Sequence, residues 1–153
     1  MDEQSSRSAI LGSLEMLREE IGCDFSAVGL KEMPSLLLRW PMASGHTNER
    51  IEGIAEKPGR GLSATVMKIG RAMPLSMTEL VCSRQLQEYP VFLAENLRAA
   101  YAVPLGWGAA TSGVLLVGDR KKRIYRTEER RLVAAAADRI AARLAAMPSA
   151  KSV

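Results

Sequence analysis

The sequence predicts an α+β fold, a β-sheet with helices at the two chain ends. Three observations carry this. Ile10, Leu14, Leu17 and Ile21 recur at helical spacing near the N-terminus. Val133, Ala137, Ile140, Leu144 and Met147 form a second helical stripe near the C-terminus. Between them lie short apolar runs broken by Gly, Pro and polar clusters, the pattern of strands and turns.

The first helix is expected over Ser6 to Ile21, with Glu15, Arg18 and Glu19 on its outer face and Gly22 as its stop. Phe25 to Lys31 and Leu36 to Trp40 read as a hairpin turned at Met33-Pro34-Ser35. Ala43 to Glu49 reads as a polar loop, and Ile51 to Glu56 as a short alternating strand. Lys57-Pro58-Gly59-Arg60-Gly61 is a tight connection into a short helix, Leu62 to Ile69, closed by Gly70. Ala72 to Met77 reads as a strand, whereas Thr78 to Glu88 follows no single period. A helix is expected from Pro90 to Asn96, because proline at the first helical position gives up an N–H that has no partner anyway.

Arg98 to Leu105 and Ser112 to Gly118 are the clearest strands, with the Gly- and Ala-rich stretch Gly106 to Thr111 between them. Val114 to Val117 is apolar on both faces, so this strand should be central. Thr127 is expected to cap the final helix, with Glu128 and Glu129 in its first turn. The chain reads as one domain over residues 1–147, with 148–153 a disordered tail.

Composition excludes several function classes. The two cysteines, Cys23 and Cys82, are far apart and neither lies in a CxxC, so they form no disulfide framework. With one histidine, His46, soft metal ligands are too few for a metal site. The same shortage argues against a Ser-His-Asp or Cys-His catalytic arrangement. The N-terminal residues are acidic and polar rather than basic then apolar, and no apolar run approaches a membrane span, so the expected place is the cytoplasm. A net charge of +4 is modest, and aromatics at 5% do not track the basic runs, which argues against nucleic acid. Arg120-Lys121-Lys122-Arg123 reads as a solvated loop, or as a contact for an acidic partner surface.

The Gly59-Arg60-Gly61 stretch lacks the spacing and lysine of a phosphate loop. It does deliver a helix start at Leu62 and Ser63, whose first amides lack intrahelical acceptors and suit a small anion. Its simpler role is a turn that seats a helix on a sheet. Tyr89-Pro90-Val91 repeats the device, leaving the amides of Val91 and Phe92 without helical partners. If both starts face one cavity, it could hold a compact monovalent anion without lysine or arginine, walled by Trp40 and Tyr89. Trp40 is equally readable as a core aromatic at a strand end.

"KPGRGLSATVMKIGRAM", "AVPL" at Ala102 to Leu105, "SGVLLVGDR" at Ser112 to Arg120 and "YRTEERRLV" together resemble a GAF domain over nearly the whole chain. The resemblance implies an antiparallel central sheet, with a small-molecule pocket on one face roofed by short helices and loops. Trp40 with "SGHTNER", "KPGRGL" and "YPVFLAENL" resemble the NreA-type bacterial nitrate receptors within that family. That likeness implies a stand-alone sensor that binds nitrate and modulates a partner histidine kinase. It would thereby act in a two-component system controlling transcription for nitrate respiration. It also implies a site with amides from Leu62, Ser63 and Val91 and walls from Trp40, Tyr89 and Pro90. No cofactor or metal is implied.

Two alternatives stay open. One is a GAF module for an amino or keto acid. The other is a small enzyme such as a free methionine sulfoxide reductase, a GAF group whose chemistry resembles a cysteine relay near the "VPL" strand. Ala99, Ala100, Tyr101 and Ala102 precede Val103 here, with no cysteine among them. Finally, the sheet is expected to leave part of both terminal apolar stripes uncovered, so that these helices pair in a homodimer or against the kinase.

Overall fold

The computed structural model describes residues 3–47, 49–107 and 110–147. The expected tail lies outside them, as do residues 108 and 109 of the connection read at Gly106 to Thr111. The chain runs α1 (Glu3–Ile21), β1 (Phe25–Lys31), β2 (Leu38–Ser44), α2 (Arg50–Gly53) and β3 (Ala55–Glu56). A helix over 61–69 follows, π-wound at Ser63–Met67. Next come β4 (Met73–Ser76), α3 (Met77–Cys82), a 3₁₀ turn (Leu86–Glu88) and α4 (Pro90–Glu95). The chain closes with β5 (Ala99–Trp107), β6 (Ala110–Asp119) and α5 (Thr127–Ala145). The six strands form one antiparallel sheet in the order β3-β2-β1-β6-β5-β4, so the doubly apolar β6 is central, as its composition requires.

Strand alternation splits the core in two. Leu115 and Val117 face one side with Tyr101, Val103 and Leu105. There Ile10, Leu14, Leu17 and Ile21 of α1 and Val133, Ala137, Ile140 and Leu144 of α5 cover the sheet. Val114 and Leu116 face the other side with Phe25, Ala27 and Ala102, under the short helices. Both terminal stripes are buried inside the molecule, including Met147 beyond α5. The uncovered stripe expected to drive pairing is therefore absent. The outward face of α5 mixes Leu132, Ala134 and Ala135 with the exposed charges Arg131, Asp138 and Arg139.

Several local expectations need correction. β2 starts two residues later and runs past Trp40 to Ser44, through Pro41. A bulge opposite Gly29, between the pairs Val28↔Met42 and Leu30↔Arg39, accommodates the proline, which cannot donate to a ladder. The bulge also reverses the facing of the strand. Leu38 and Trp40 enter the core under the short helices, and Met42 enters the opposite one. The strand expected from Ile51 is a single helical turn and then a two-residue strand, because Ile51 and Ile54 are both buried at an i, i+3 spacing. The stretch without a clear period resolves into α3, started by Ser76, and the 3₁₀ turn. Thr127 is the first helical residue, and the cap position is Arg126, whose amide donates to Glu129 at 2.8 Å.

The basic run is only partly solvated. Arg120 pairs with Glu95 at 2.7 Å. Arg123 pairs with Asp119 at 3.2 Å and with Glu129, and donates to the Ile21 carbonyl at the end of α1. Lys121 and Lys122 remain exposed. No helix among the described residues is long and apolar enough to cross a membrane.

Candidate functional site

The connection after β3 is compact because glycine permits it. Gly59 and Gly61 have φ of +76° and +53°, in the left-handed region. A Cβ on Gly61 would overlap both the Glu88 carbonyl oxygen and the Glu56 carboxylate. The start of the π-wound helix therefore lies directly against the 3₁₀ turn that leads into Tyr89 and α4. The sequence raised the condition that both helix starts face one cavity; the structure gives this contact of the Gly61 backbone with the Glu88 carbonyl.

Trp40, Leu62, Tyr89 and Val91 share one buried core with Ile51, Ile54, Val66 and Phe92. Trp40 is seated against Gly29, where an added Cβ would stand 3.1 Å from the indole ring. Tyr89 packs edge-on to Phe92, with ring centroids 6.3 Å apart. Burial pushes the Tyr89 phenol above its ordinary range, while a hydrogen bond with the Thr65 side chain pulls it down. Thr65 also donates its hydroxyl to the Gly61 carbonyl at 2.9 Å, tying the first turn together. Ser63 and Pro90 are half-buried. The Ser63 side chain borders a surface depression of about 300 Å³ with Pro58, Gly59, Met67 and Lys68, apart from the indole of Trp40.

The helix starts are not empty-handed. The Leu62 amide donates to Glu56 Oε1 at 2.5 Å. The Ser63 amide donates to the Arg60 carbonyl at 3.1 Å and also favours the charged form of Glu56. In α4 the Phe92 amide donates to the Tyr89 carbonyl at 3.0 Å, which corrects the expectation that it lacks a partner. A 3₁₀-type first turn explains this.

Glu56 is the residue that sequence reasoning missed. It is 2% exposed and stands opposite Leu38 in the β2–β3 pair. Its Oε2 has no hydrogen-bond partner, and neither has Nε1 of the buried Trp40. Desolvation by burial pushes the Glu56 acid up to about 8, against the pull of the Leu62 and Ser63 amides, and the Glu88 charge adds to the rise. A glutamate after Ala55 at the end of a two-residue strand carries no sequence signal of burial. The close glycine loop that follows was the only hint.

Elsewhere, catalytic machinery is thin. His46 is exposed, Cys23 is buried and Cys82 is exposed. Among the described residues no three His, Cys, Asp or Glu side chains cluster as metal ligands would.

Comparison with known proteins agrees with the architecture. Among curated protein sequences, none matches the chain. Among solved structures, it is similar to an NreA protein from Staphylococcus aureus mutated in its nitrate-binding site. The two share 35% identity over 78% of this chain and 92% of that one, with a TM-score of 0.67. The GAF domain of a phosphoenolpyruvate-protein phosphotransferase from Coxiella burnetii superposes with a TM-score of 0.77. At 18% identity, over 92% of this chain and 82% of that one, it supports the fold alone. The same holds for a type II free methionine-R-sulfoxide reductase from Thermoplasma acidophilum, with a TM-score of 0.71 and 17% identity over 94% of each chain. The family model described as GAF domain matches residues 10–144. With that match spanning the sheet, both terminal helices and the site between them, the chain belongs to the GAF domain family.

Proposed function

We propose that this GAF domain is a nitrate receptor that modulates a partner histidine kinase in the cytoplasm and does no chemistry on its ligand. The observation that carries the reading is the junction of the two helix starts. There the Gly61 backbone abuts the Glu88 carbonyl, and Trp40 and Tyr89 are buried beside it. Backbone amides of Leu62, Ser63 and Val91 supply the hydrogen bonds, those of Leu62 and Ser63 by exchanging the Glu56 and Arg60 oxygens for the anion, and Trp40, Tyr89 and Pro90 supply the walls. A compact planar anion suits such a site because amide donors and the helix dipole favour one negative charge without a fixed cation. Arg60 and Lys57 are exposed, so neither has to meet the ligand. The 35% identity to a protein whose nitrate-binding site has been mutated supports the same choice of ligand.

Calorimetric titration with nitrate, nitrite and chloride tests this. Nitrate should bind most tightly. Trp40→Ala and Tyr89→Ala should each weaken it by more than ~1 kcal/mol, the scale of replacing a sheltered polar contact by an exposed one. Wild-type affinity in both variants would place the anion elsewhere. Tight binding of an amino or keto acid in place of nitrate would replace the ligand and keep the module.

A further inference from the structure

The Leu62 amide is already taken, and what takes it is a carboxylate oxygen. Glu56 is buried at 2% exposure, reaches Leu62 with Oε1 at 2.5 Å, and leaves Oε2 without a partner. Antiparallel pairing sets Leu38 opposite Glu56, so both side chains share a sheet face, and Trp40 follows two residues along on that face. Trp40 and Glu56 are thus diagonal neighbours, and each holds a buried polar atom with no partner, Nε1 and Oε2. The oxygen stands at the helix start opened by Leu62 and the indole donor lies in the same buried core, and unsatisfied buried polar groups are rare.

Resting on the nitrate reading, we propose that Glu56 is the residue that makes anion binding proton-coupled: the anion binds only beside the neutral acid form of Glu56. A carboxylate and a second anion cannot share one amide at contact distance in a dry site. The incoming anion takes the Leu62 amide from Oε1. Glu56 keeps or gains a proton, supplied by solvent, and its O–H donates to the anion. Trp40 Nε1–H is the second side-chain donor of the same face.

The other charged and titratable groups around Glu56 are few. Glu88 comes from the 3₁₀ turn and Tyr89 from the start of α4. Lys57 and Arg60 of the connecting turn, and Arg50 and Glu52 of α2, are exposed. The Tyr89 phenol is pushed up, away from the range that matters here. The Glu56 acid, raised to about 8, is largely neutral at pH 7 and ready for the anion.

The test is calorimetric titration of the full chain with sodium nitrate from pH 6 to pH 9.5, in two buffers of different ionisation enthalpy. Wild-type affinity should be flat up to about pH 7.5 and then fall about tenfold per pH unit, with one proton taken up per nitrate in the upper range. Glu56→Gln, which keeps a neutral donor, should bind nitrate with no such fall and exchange no proton. Glu88→Gln should keep the one-proton fall but begin it at lower pH, because the Glu88 charge adds to the rise of the Glu56 acid. A flat wild-type profile with nitrate bound would overturn the proton coupling and leave the nitrate reading standing, as would a Glu56→Gln variant that follows the wild-type curve. Absence of nitrate binding by both folded proteins at every pH would remove the nitrate reading and this inference together. Circular dichroism at each pH verifies that the proteins compared are folded.

Discussion

Arg120 donates to Glu95 Oε1 at 2.7 Å, and Glu95 has no exposed surface. The same guanidinium donates to the carbonyls of Glu95 and Gly45, both at 3.0 Å. Thr47 completes the cluster, its amide and hydroxyl donating to Glu95 Oε1 at 2.9 and 3.1 Å. One ion pair therefore ties the end of β6 and the loop after β2 to the last turn of α4, the helix whose first turn carries Val91.

Removing Arg120 strands a buried carboxylate. Arg120→Ala should lower stability by about 3 kcal/mol, the usual cost of breaking a buried pair from one side. Adding Glu95→Gln should recover part of the loss, because a neutral amide is cheaper to bury than an unpaired charge. Urea denaturation of both variants checks this. Equal loss in the single and double variants would mean that Arg120 acts through its packing and not its charge.

Leu62 separates backbone recognition from side-chain packing. Leu62→Pro removes the N–H that reaches Glu56, at a helix-start position where proline is tolerated. Nitrate affinity should fall at least about tenfold, a loss of roughly 1.4 kcal/mol, with the circular dichroism spectrum unchanged. Leu62→Ala keeps the amide but empties a fully buried site. It should cost about 2–5 kcal/mol of stability and change nitrate affinity much less than the proline variant does. An alanine variant that loses as much affinity as the proline variant would argue against amide recognition.

Glu56 also predicts a pH dependence of folding in the absence of any anion. Its acid titrates near 8 in the folded chain against an ordinary value of 4.5. Between those values the folded state holds a proton that the unfolded state has released. Its contribution to stability is therefore full below about pH 4.5 and is lost as pH rises to 8. Glu56→Gln removes this slope. Relative to wild type it should gain on the order of 3 kcal/mol on going from pH 5 to pH 8.5, read by chemical denaturation at each pH. Parallel wild-type and variant curves would mean that Glu56 is ionised in the folded protein.

Much of this was written in the sequence, and the misses share a cause. The terminal helices and the central strand Val114–Val117 are long, strongly patterned elements, and their faces followed from periodicity alone. The two helix starts followed from Gly61 and Pro90. What sequence patterning could not supply was the pairing across elements. The bulge lies at Trp40-Pro41 within β2, opposite Gly29 of β1; Pro41 was its signal, but the reversal of facing shows only once the register with β1 is known. Burial of Glu56 depends on Gly61 and Glu88 closing over it. Arg120 and Arg123 look like half of a solvated charge run until Glu95, Asp119 and Glu129 are brought to them.

The two thiols bear on whether this GAF domain does chemistry. Cys23 lies just before β1 at 6% exposure, and burial, with the nearby Asp119 charge adding, pushes its thiol up to about 12. Since the thiolate is the reactive form, Cys23 should be inert in the folded chain. Cys82 ends α3 and is exposed. Ellman's reagent should therefore titrate one thiol quickly in the native protein, and Cys82→Ser should abolish that reaction. The second thiol should appear only in denaturant. A thiol relay needs two cysteines that can reach one another while one of them attacks the substrate. Cys23 lies in the core on the helix-covered face of the sheet, so it should not take part. Incubation with free methionine sulfoxide and a thiol reductant should give no turnover. Turnover that disappears in Cys82→Ser would make the chain an enzyme, and two fast thiols in the native protein would show that Cys23 is not held in the core as described.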